Sequence, residues 1–244
     1  MRFKTLSAIP LLVAANISFA AQSPVEMFSV DQKAEIEQII HDYLLKNPQV
    51  LVEVAQNLEK QQQEQAQKQF QDIVSEIKAN KNLPRRGGGD NPKHYLIEFF
   101  DYNCGYCKKI RPLVAKLAKE HSDLQIIYVE LPILSELSIK ASTIAQALFA
   151  KDPQKYFVFQ DKLMSEQKRL SSVDDIKMEI EALDVDFDEL TEIAKNKNVG
   201  SILSENVSLG RTLGITGVPF MILDDQVIRG AVNDYKSLEE MLKK

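Results

Sequence analysis

Cys104 and Cys107 are the two cysteines of this 244-residue chain, set as Cys104-Gly105-Tyr106-Cys107 between an apolar run, Tyr95 to Phe100, and a helical pattern, Lys108 to Lys119. Thiols so spaced at a strand-to-helix junction are placed to open and close a disulfide, because backbone N–H groups and the positive end of the helix dipole favour a thiolate there. A structural staple is a weaker reading. It would close a very short loop, for which chain entropy credits about 2 kcal/mol, against about 4.7 for a hundred-residue loop. Half of a zinc site is another, but it needs two further ligands and the chain offers His41, His94 and His121. His121 lies on the same predicted helix as Cys107, roughly 21 Å along at 1.5 Å per residue. The spacing therefore favours redox chemistry, and no metal site is expected.

The elements that position the pair follow an α/β order. Tyr95 to Phe100 predicts a strand, Lys108 to Lys119 a helix, and Leu124 to Leu131 a second strand of alternating residues. Ser138 to about Leu209 reads as helical throughout, with capping-box starts at Ser172-x-x-Asp175 and Asp186-x-x-Glu189. Phe220 to Leu223 and Val227 to Arg229 predict a hairpin across Asp224-Asp225-Gln226, and Tyr235 to Leu242 a closing helix.

Ahead of this block, Asp31 to about Ala79 reads as helix interrupted at Pro48. Ile36, Ile39, Ile40, Tyr43 and Leu44 form one apolar stripe, and Val50, Leu51, Val54 and Leu58 another. Glu59 to Gln71 is polar on almost every face, and Phe70, Ile73, Val74 and Ile77 restore apolar character. Such short stripes cannot form a core alone, so self-association through this segment is expected, with packing back on its own domain as the alternative. The run from Leu83 through Pro84 and three successive glycines to Pro92 reads as a linker. Eight flexible residues there would span about 14 to 17 Å.

Arg2 and Lys4 precede an apolar stretch from Thr5 to Phe19, and Ser18-Phe19-Ala20 has the form of a signal-peptidase site. The stretch falls short of the ~20 residues of a membrane span, so cleavage and a soluble exported protein are expected, with an uncleaved anchor as the second reading. Outside the cytoplasm a thiol pair works in an oxidising compartment. With 44% hydrophobic residues a normal core is available, and a net charge of −5 without a basic face argues against a nucleic-acid partner. The expected organisation is a signal peptide over 1–20, a helical oligomerisation arm over 21–82, a flexible linker over 83–92 and a catalytic domain over 93–244 with a helical insertion at about 138–209.

Glu98-Phe99-Phe100 before Cys104-Gly105-Tyr106-Cys107-Lys108, followed by Ile110 and Pro112, resembles the active-site stretch of the thioredoxin superfamily, and Gly217-Val218-Pro219-Phe220 resembles its cis-proline loop. The helical block between them is similar to the insertion of DsbA-type periplasmic oxidoreductases. The N-terminal helices resemble the arms of suppressor-of-copper-sensitivity C proteins and Com-type surface antigens. The fold so implied is a thioredoxin fold with an inserted helical domain, preceded by a helical oligomerisation region.

The resemblance also implies roles. Cys104 is the exposed nucleophile and Cys107 the resolving thiol, and the two form the redox-active disulfide. Glu98, on a strand that both faces of the sheet should cover, is the buried acid that manages the Cys107 proton, with a strand-edge carboxylate reaching solvent as the alternative. Lys108 and Lys109 either add positive potential or form a solvated first turn. Pro219 is expected to be cis, leaving the flanking backbone to pair with an extended client. Gly105, Tyr106 and Val218 tune redox poise and client contact. Gly105-Tyr106 resembles the isomerase DsbC, whereas Val218 resembles the oxidase DsbA. The activity implied is that of a periplasmic or envelope-associated thiol-disulfide oxidoreductase that needs no cofactor, an oligomeric isomerase with some oxidase activity. A disulfide-donating oxidase is the alternative, and a chaperone or copper-binding surface protein the rival outside enzymes. Partners implied are cysteine-bearing client proteins, a DsbD-like reductant or DsbB-like oxidant in the membrane, and further copies of the chain as dimer or trimer.

Overall fold

The computed structural model describes residues 28–232 and 234–242. The export signal expected over 1–20 and the first residues of the expected arm, 21–27, lie outside the described residues. The chain divides into two compact units whose boundary falls after Gln62.

The first unit holds α1 (Val30–Lys46) and the start of α2 (Gln49–Ala79). Ser29 caps α1 through a box with Gln32, each side chain bonding the other residue's backbone N–H. The helices part at Pro48, which has no N–H to continue the first ladder. Ile36, Ile39, Ile40, Tyr43, Leu51, Val54 and Leu58 are all exposed in the single chain.

The second unit is built on a five-stranded sheet in the order β1 (Arg85–Gly87), β3 (Leu124–Glu130), β2 (His94–Phe100), β4 (Phe220–Leu223), β5 (Gln226–Arg229). β2 and β3 run parallel and the other neighbours antiparallel. Between β2 and β3 lies α3 (Gly105–Glu120), with Pro112 inside it. After β3 come α4 (Glu136–Lys151), α5 (Pro153–Ser165), α6 (Val173–Glu181), α7 (Phe187–Ala194) and α8 (Lys197–Thr212), and α9 (Tyr235–Leu242) follows the hairpin. Side chains alternate along β2, so its Leu96 and Phe100 join one apolar cluster, with α3, α4 and α5, while Ile97 and Phe99 join another on the opposite face.

That second face corrects the expected domain boundaries. Ile73, Val74 and Ile77 at the end of α2, together with Leu83, are buried against Ile97, Phe99, Ile127, Val129 and Ile222. They belong to the core of the second unit rather than to an arm ending at 82. A sheet with a parallel core needs both faces covered, and on this face the α2 end supplies that cover together with Val207 and Leu209 of α8.

The expected linker over 83–92 is likewise partly structured. Arg85, Arg86 and Gly87 pair with Ile127, Ile126 and Gln125 of β3, and Tyr128 N–H donates to the Pro84 carbonyl at 2.9 Å. Gly87 and Gly88 both have φ near +79°, and a Cβ on either would meet β3 at 2.6 or 2.7 Å. The glycines permit close approach of two strands, where the sequence suggests only freedom. The Arg85 guanidinium closes the end of α2 by donating to the Lys78 and Asn80 carbonyls, a favourable place for a cation.

The hairpin turn is the two residues Asp224 and Asp225, with Gln226 already in β5. The helical block is broken at 166–172, ahead of the Ser172 capping box that starts α6. Ile77→Ala is expected to lower the stability of the second unit by about 2 to 5 kcal/mol, while Leu58→Ala leaves that transition within about 0.5 kcal/mol. Denaturant unfolding followed by tyrosine fluorescence measures both.

Candidate active site

From β2 the chain turns through Asp101, Tyr102 and Asn103 before α3 begins. Asp101 is buried; its Oδ1 accepts the Asn103 N–H at 2.7 Å and its Oδ2 accepts the Ile133 and Leu134 N–H groups, each at 3.0 Å. The Asn103 side chain donates to Ser135 Oγ at 2.8 Å and accepts from Leu170 N–H at 2.8 Å. The turn is therefore fixed both to the β3–α4 loop and to the break at 166–172. Asp and Asn spaced two apart before a helix start are the residue types that bond local backbone, and that is the one signal of these two residues in the sequence.

Cys104 is the N-cap of α3: its Sγ accepts the Cys107 backbone N–H at 3.0 Å, and its carbonyl accepts from Lys108 N–H at 3.1 Å. The two cysteines are joined in a disulfide. On its other side the Cys104 Sγ lies 3.4 Å from the carbonyl oxygen of Val218, a distance at which a reduced thiol can donate. The Val218–Pro219 peptide is cis, and the Pro219 carbonyl accepts the Gly230 N–H at 2.9 Å at the start of β4. Cys104, Cys107, Val218 and Pro219 are thus brought together from segments far apart in sequence.

Two expectations about exposure need correction. Cys104 is only 3% exposed, because its sulfur is bonded to fully buried Cys107 and faces the Val218 carbonyl. Tyr106, 66% exposed, and Gly105 are the members of the motif that meet solvent, and Gly105 opens α3 with free space where a side chain would stand. Lys109 is exposed, but Lys108 is neither solvated nor free: it is buried, and its Nζ donates to the Lys168 carbonyl at 2.6 Å. Burial lowers the Lys108 pKa, against the opposing pull of Glu166 and Asp101.

Glu98 lies in the sheet interior between Tyr128 of β3 and Met221 of β4, with no exposed surface. Its polar contact is with Arg111 of α3, whose NH1 is 3.4 Å from Oε2, and its Oε1 has no hydrogen-bond partner among the described residues. Burial raises the Glu98 pKa, and Arg111 offsets only part of the rise. A third buried acid, Glu130, is hidden in the alternation of β3. The Oε1 of Glu130 accepts from the hydroxyls of Tyr102 at 2.9 Å and Tyr156 at 3.0 Å, and its Oε2 accepts from Gln146 Nε2 at 3.0 Å. Tyr102 belongs to the active-site turn, Gln146 to α4 and Tyr156 to α5, so this carboxylate ties the turn to the insertion. Among the described residues no group of three or more His, Cys, Asp or Glu is arranged to hold a metal, and no helix is long and apolar enough to cross a membrane.

Residues 95–243 match the family described as DSBA-like thioredoxin domain. The chain belongs to the DSBA-like thioredoxin family. It is a family of thiol-disulfide oxidoreductases, and residues 32–65 of this member match a second description, the N-terminal domain of copper resistance protein ScsC. ScsC of Proteus mirabilis in a transitional conformation is 29% identical, with a TM-score of 0.64 over 89% of this chain and 96% of that one. The same protein in a compact conformation is 31% identical, with a TM-score of 0.62 over 86% and 96%. Disulfide bond formation protein D of Bacillus subtilis is 24% identical over 72% of this chain and 82% of its own length. An Na(+)/H(+) antiporter NhaA 3 of Salinispora tropica is 23% identical over 57% of this chain, which spans only 21% of the antiporter's length.

Burial pushes the Glu130 pKa up to about 7, against the three hydrogen bonds from Gln146, Tyr102 and Tyr156. The unfolded carboxyl releases its proton near 4.5, so between those values the folded state holds the extra proton and stability falls as pH rises. The fall attributable to Glu130 is on the order of 3 kcal/mol. Thermal unfolding from pH 4.5 to 7.5 is expected to show this component in the parent chain and to lose it in Glu130→Gln, whose side chain does not titrate.

Proposed function

We propose that this chain exchanges disulfides with cysteine-bearing client proteins outside the cytoplasm, as an oligomeric isomerase with some oxidase activity. The observation that carries the reading is the Cys107 N–H donated to Cys104 Sγ at the N-terminus of α3, beside the carbonyl that precedes cis-Pro219. A thiolate on Cys104 meets a backbone donor and the positive end of a helix there, the environment that lowers a cysteine pKa below ~8.5. Cys104 attacks one sulfur of a client disulfide, and the other client sulfur leaves as thiolate. Cys107 then attacks Cys104 Sγ in the mixed disulfide, forms the intramolecular bond and releases the client. Run in reverse, the oxidised pair donates a disulfide. Glu98 accepts and returns the Cys107 proton, and the backbone at Val218 and Pro219 pairs with an extended client segment. Gly105 and Tyr106 present the solvent edge of the motif to it. No cofactor enters either direction.

In this reading Cys104→Ala abolishes exchange, while Cys107→Ala accumulates covalent client adducts that reductant releases. Non-reducing gels and mass spectrometry after acid quench read both outcomes, and full activity in Cys104→Ala would exclude the enzyme in favour of a chaperone. A disulfide-donating oxidase is the second reading, favoured by Val218 before the cis-proline and by the likeness to disulfide bond formation protein D. Alkylation of thiols in living cells separates the two, since an isomerase rests reduced through a membrane reductant and an oxidase rests oxidised through a membrane oxidant.

The oligomer forms through the exposed stripes of residues 28–62. Their match to the ScsC N-terminal domain supports an arm in this position, and paired catalytic domains would raise the effective concentration of thiols around one misfolded client. Because Ile73, Val74 and Ile77 belong to the catalytic core, the truncation that tests this removes residues before Gln63 rather than before Leu83. The shortened chain is expected to be monomeric by light scattering, to keep dithiol oxidation, and to lose most of its ability to refold a client with scrambled disulfides. A monomeric full-length chain, or undiminished isomerase activity after truncation, refutes the role of the arm.

A further inference from the structure

The Glu98 carboxylate has a counter-ion that nothing in the motif of the active site announces. Arg111 stands one helical turn beyond Cys107 on α3, and residues four apart share a helix face. Its guanidinium lies 4.7 Å above the Tyr128 ring. NH1 points to Glu98 Oε2 at 3.4 Å, while NH2 donates to Gln160 Oε1 at 2.7 Å and to Asp161 Oδ1 at 2.8 Å, both on α5. The other oxygen of Asp161 accepts from Arg86 NH1 of β1 at 2.9 Å, and Arg86 stacks 4.5 Å from the Phe157 ring. Four charges of alternating sign therefore run from half-exposed Arg86 and Asp161 inward to Arg111 and fully buried Glu98.

The geometry is that of a clamp. Arg111 makes its two shorter contacts to α5, so the insertion fixes the guanidinium, and the guanidinium in turn faces an acid it did not need for its own anchoring. A carboxylate with no exposed surface and one unpartnered oxygen would stay protonated unless a cation were held against it. Burial works to lower the Arg111 pKa as well, but Tyr128, Glu98 and Asp161 outweigh it and leave the group firmly charged.

We propose that Arg111 is a positioning residue for disulfide exchange: clamped by Gln160 and Asp161, it holds Glu98 as a carboxylate so that Oε1 can take the Cys107 proton. The role rests on the exchange reading given above. In the resolving step the Cys107 S–H bond breaks, and its proton goes to the Glu98 carboxylate. The sulfur's electron pair forms the bond to Cys104 Sγ, and the client sulfur departs with the electrons of the mixed disulfide. The groups facing Glu98 and its clamp are Arg111 from α3, Tyr128 from β3, Gln160 and Asp161 from α5, and Arg86 from β1; β4 offers only Met221 opposite Glu98.

The test follows the reduced full-length protein reacting with oxidised glutathione between pH 4 and 9, with release of the second glutathione reporting the resolving step. Cys104 and Cys107 titrate too, so the inflection that disappears in Glu98→Gln is the one assigned to the carboxylate. Arg111→Met is expected to move that inflection up by one pH unit or more, a tenfold loss of rate below it, and Arg111→Lys to restore part of the shift. Asp161→Asn, at the half-exposed end of the clamp, is expected to move it the same way by less, and with Arg111→Lys it decides the matter if Arg111→Met does not fold. An inflection abolished by Glu98→Gln yet unmoved in the Arg111 and Asp161 variants overturns the clamp and leaves the exchange reading standing. Retention of both inflection and rate in Glu98→Gln removes Glu98 from the proton path, and the inference with it.

Discussion

A sulfur atom does the work of an N-cap at the start of α3, and the surrounding structure is arranged to keep it there. Ser, Thr, Asp or Asn would normally accept the free N–H groups of a first turn. Here the acceptor is Cys104 Sγ, a larger and softer atom that holds more charge as thiolate than as disulfide, so the capping bond strengthens when the pair opens. That state-dependent bond works only if the preceding turn is rigid. Asp101 and Asn103 supply the rigidity, each using both polar ends of its side chain, and their partners lie in the loop after β3 and the break after α5. The helical insertion thus has a task at the cysteine pair as well as in covering the sheet.

Buried acids recur around this point, and each is compensated differently. Asp101 is held by three backbone N–H groups, Glu130 by two phenols and an amide, and Glu98 by one guanidinium. Neutral side-chain donors leave Glu130 near neutrality in pKa, whereas a cation at 3.4 Å leaves Glu98 with one oxygen unclaimed. Of the three, only Glu98 therefore keeps an open acceptor position, which suits an acid that must gain and lose a proton.

What could be read in advance was local. The cysteine pair between strand and helix, the hairpin before the last helix and the Ser172 capping box are short-range patterns, and the structure contains all of them. The contacts of Glu98 with Arg111 and of Glu130 with Tyr102 and Tyr156 join different elements, and no spacing rule connects residues so placed. The stretch from Phe70 to Gly89 misled for a related reason. Apolar residues at helical spacing look the same whether a second chain or the chain's own sheet covers them, and glycines look the same whether they give freedom or admit a neighbouring strand at 2.6 Å from a would-be Cβ.

β1 has one more consequence. It is three residues long, preceded by Pro84, made of two arginines and a glycine, and it occupies one border of the sheet; the four-residue β5, ending in Arg229, occupies the other. Bare strand borders are templates on which unfolded polypeptides add further strands, and short, charged, proline-flanked borders resist such growth. In the proposed role the chain meets extended, partly folded clients, and a sheet finished on both sides in this way would let a client touch the cysteines without being recruited into an aggregate.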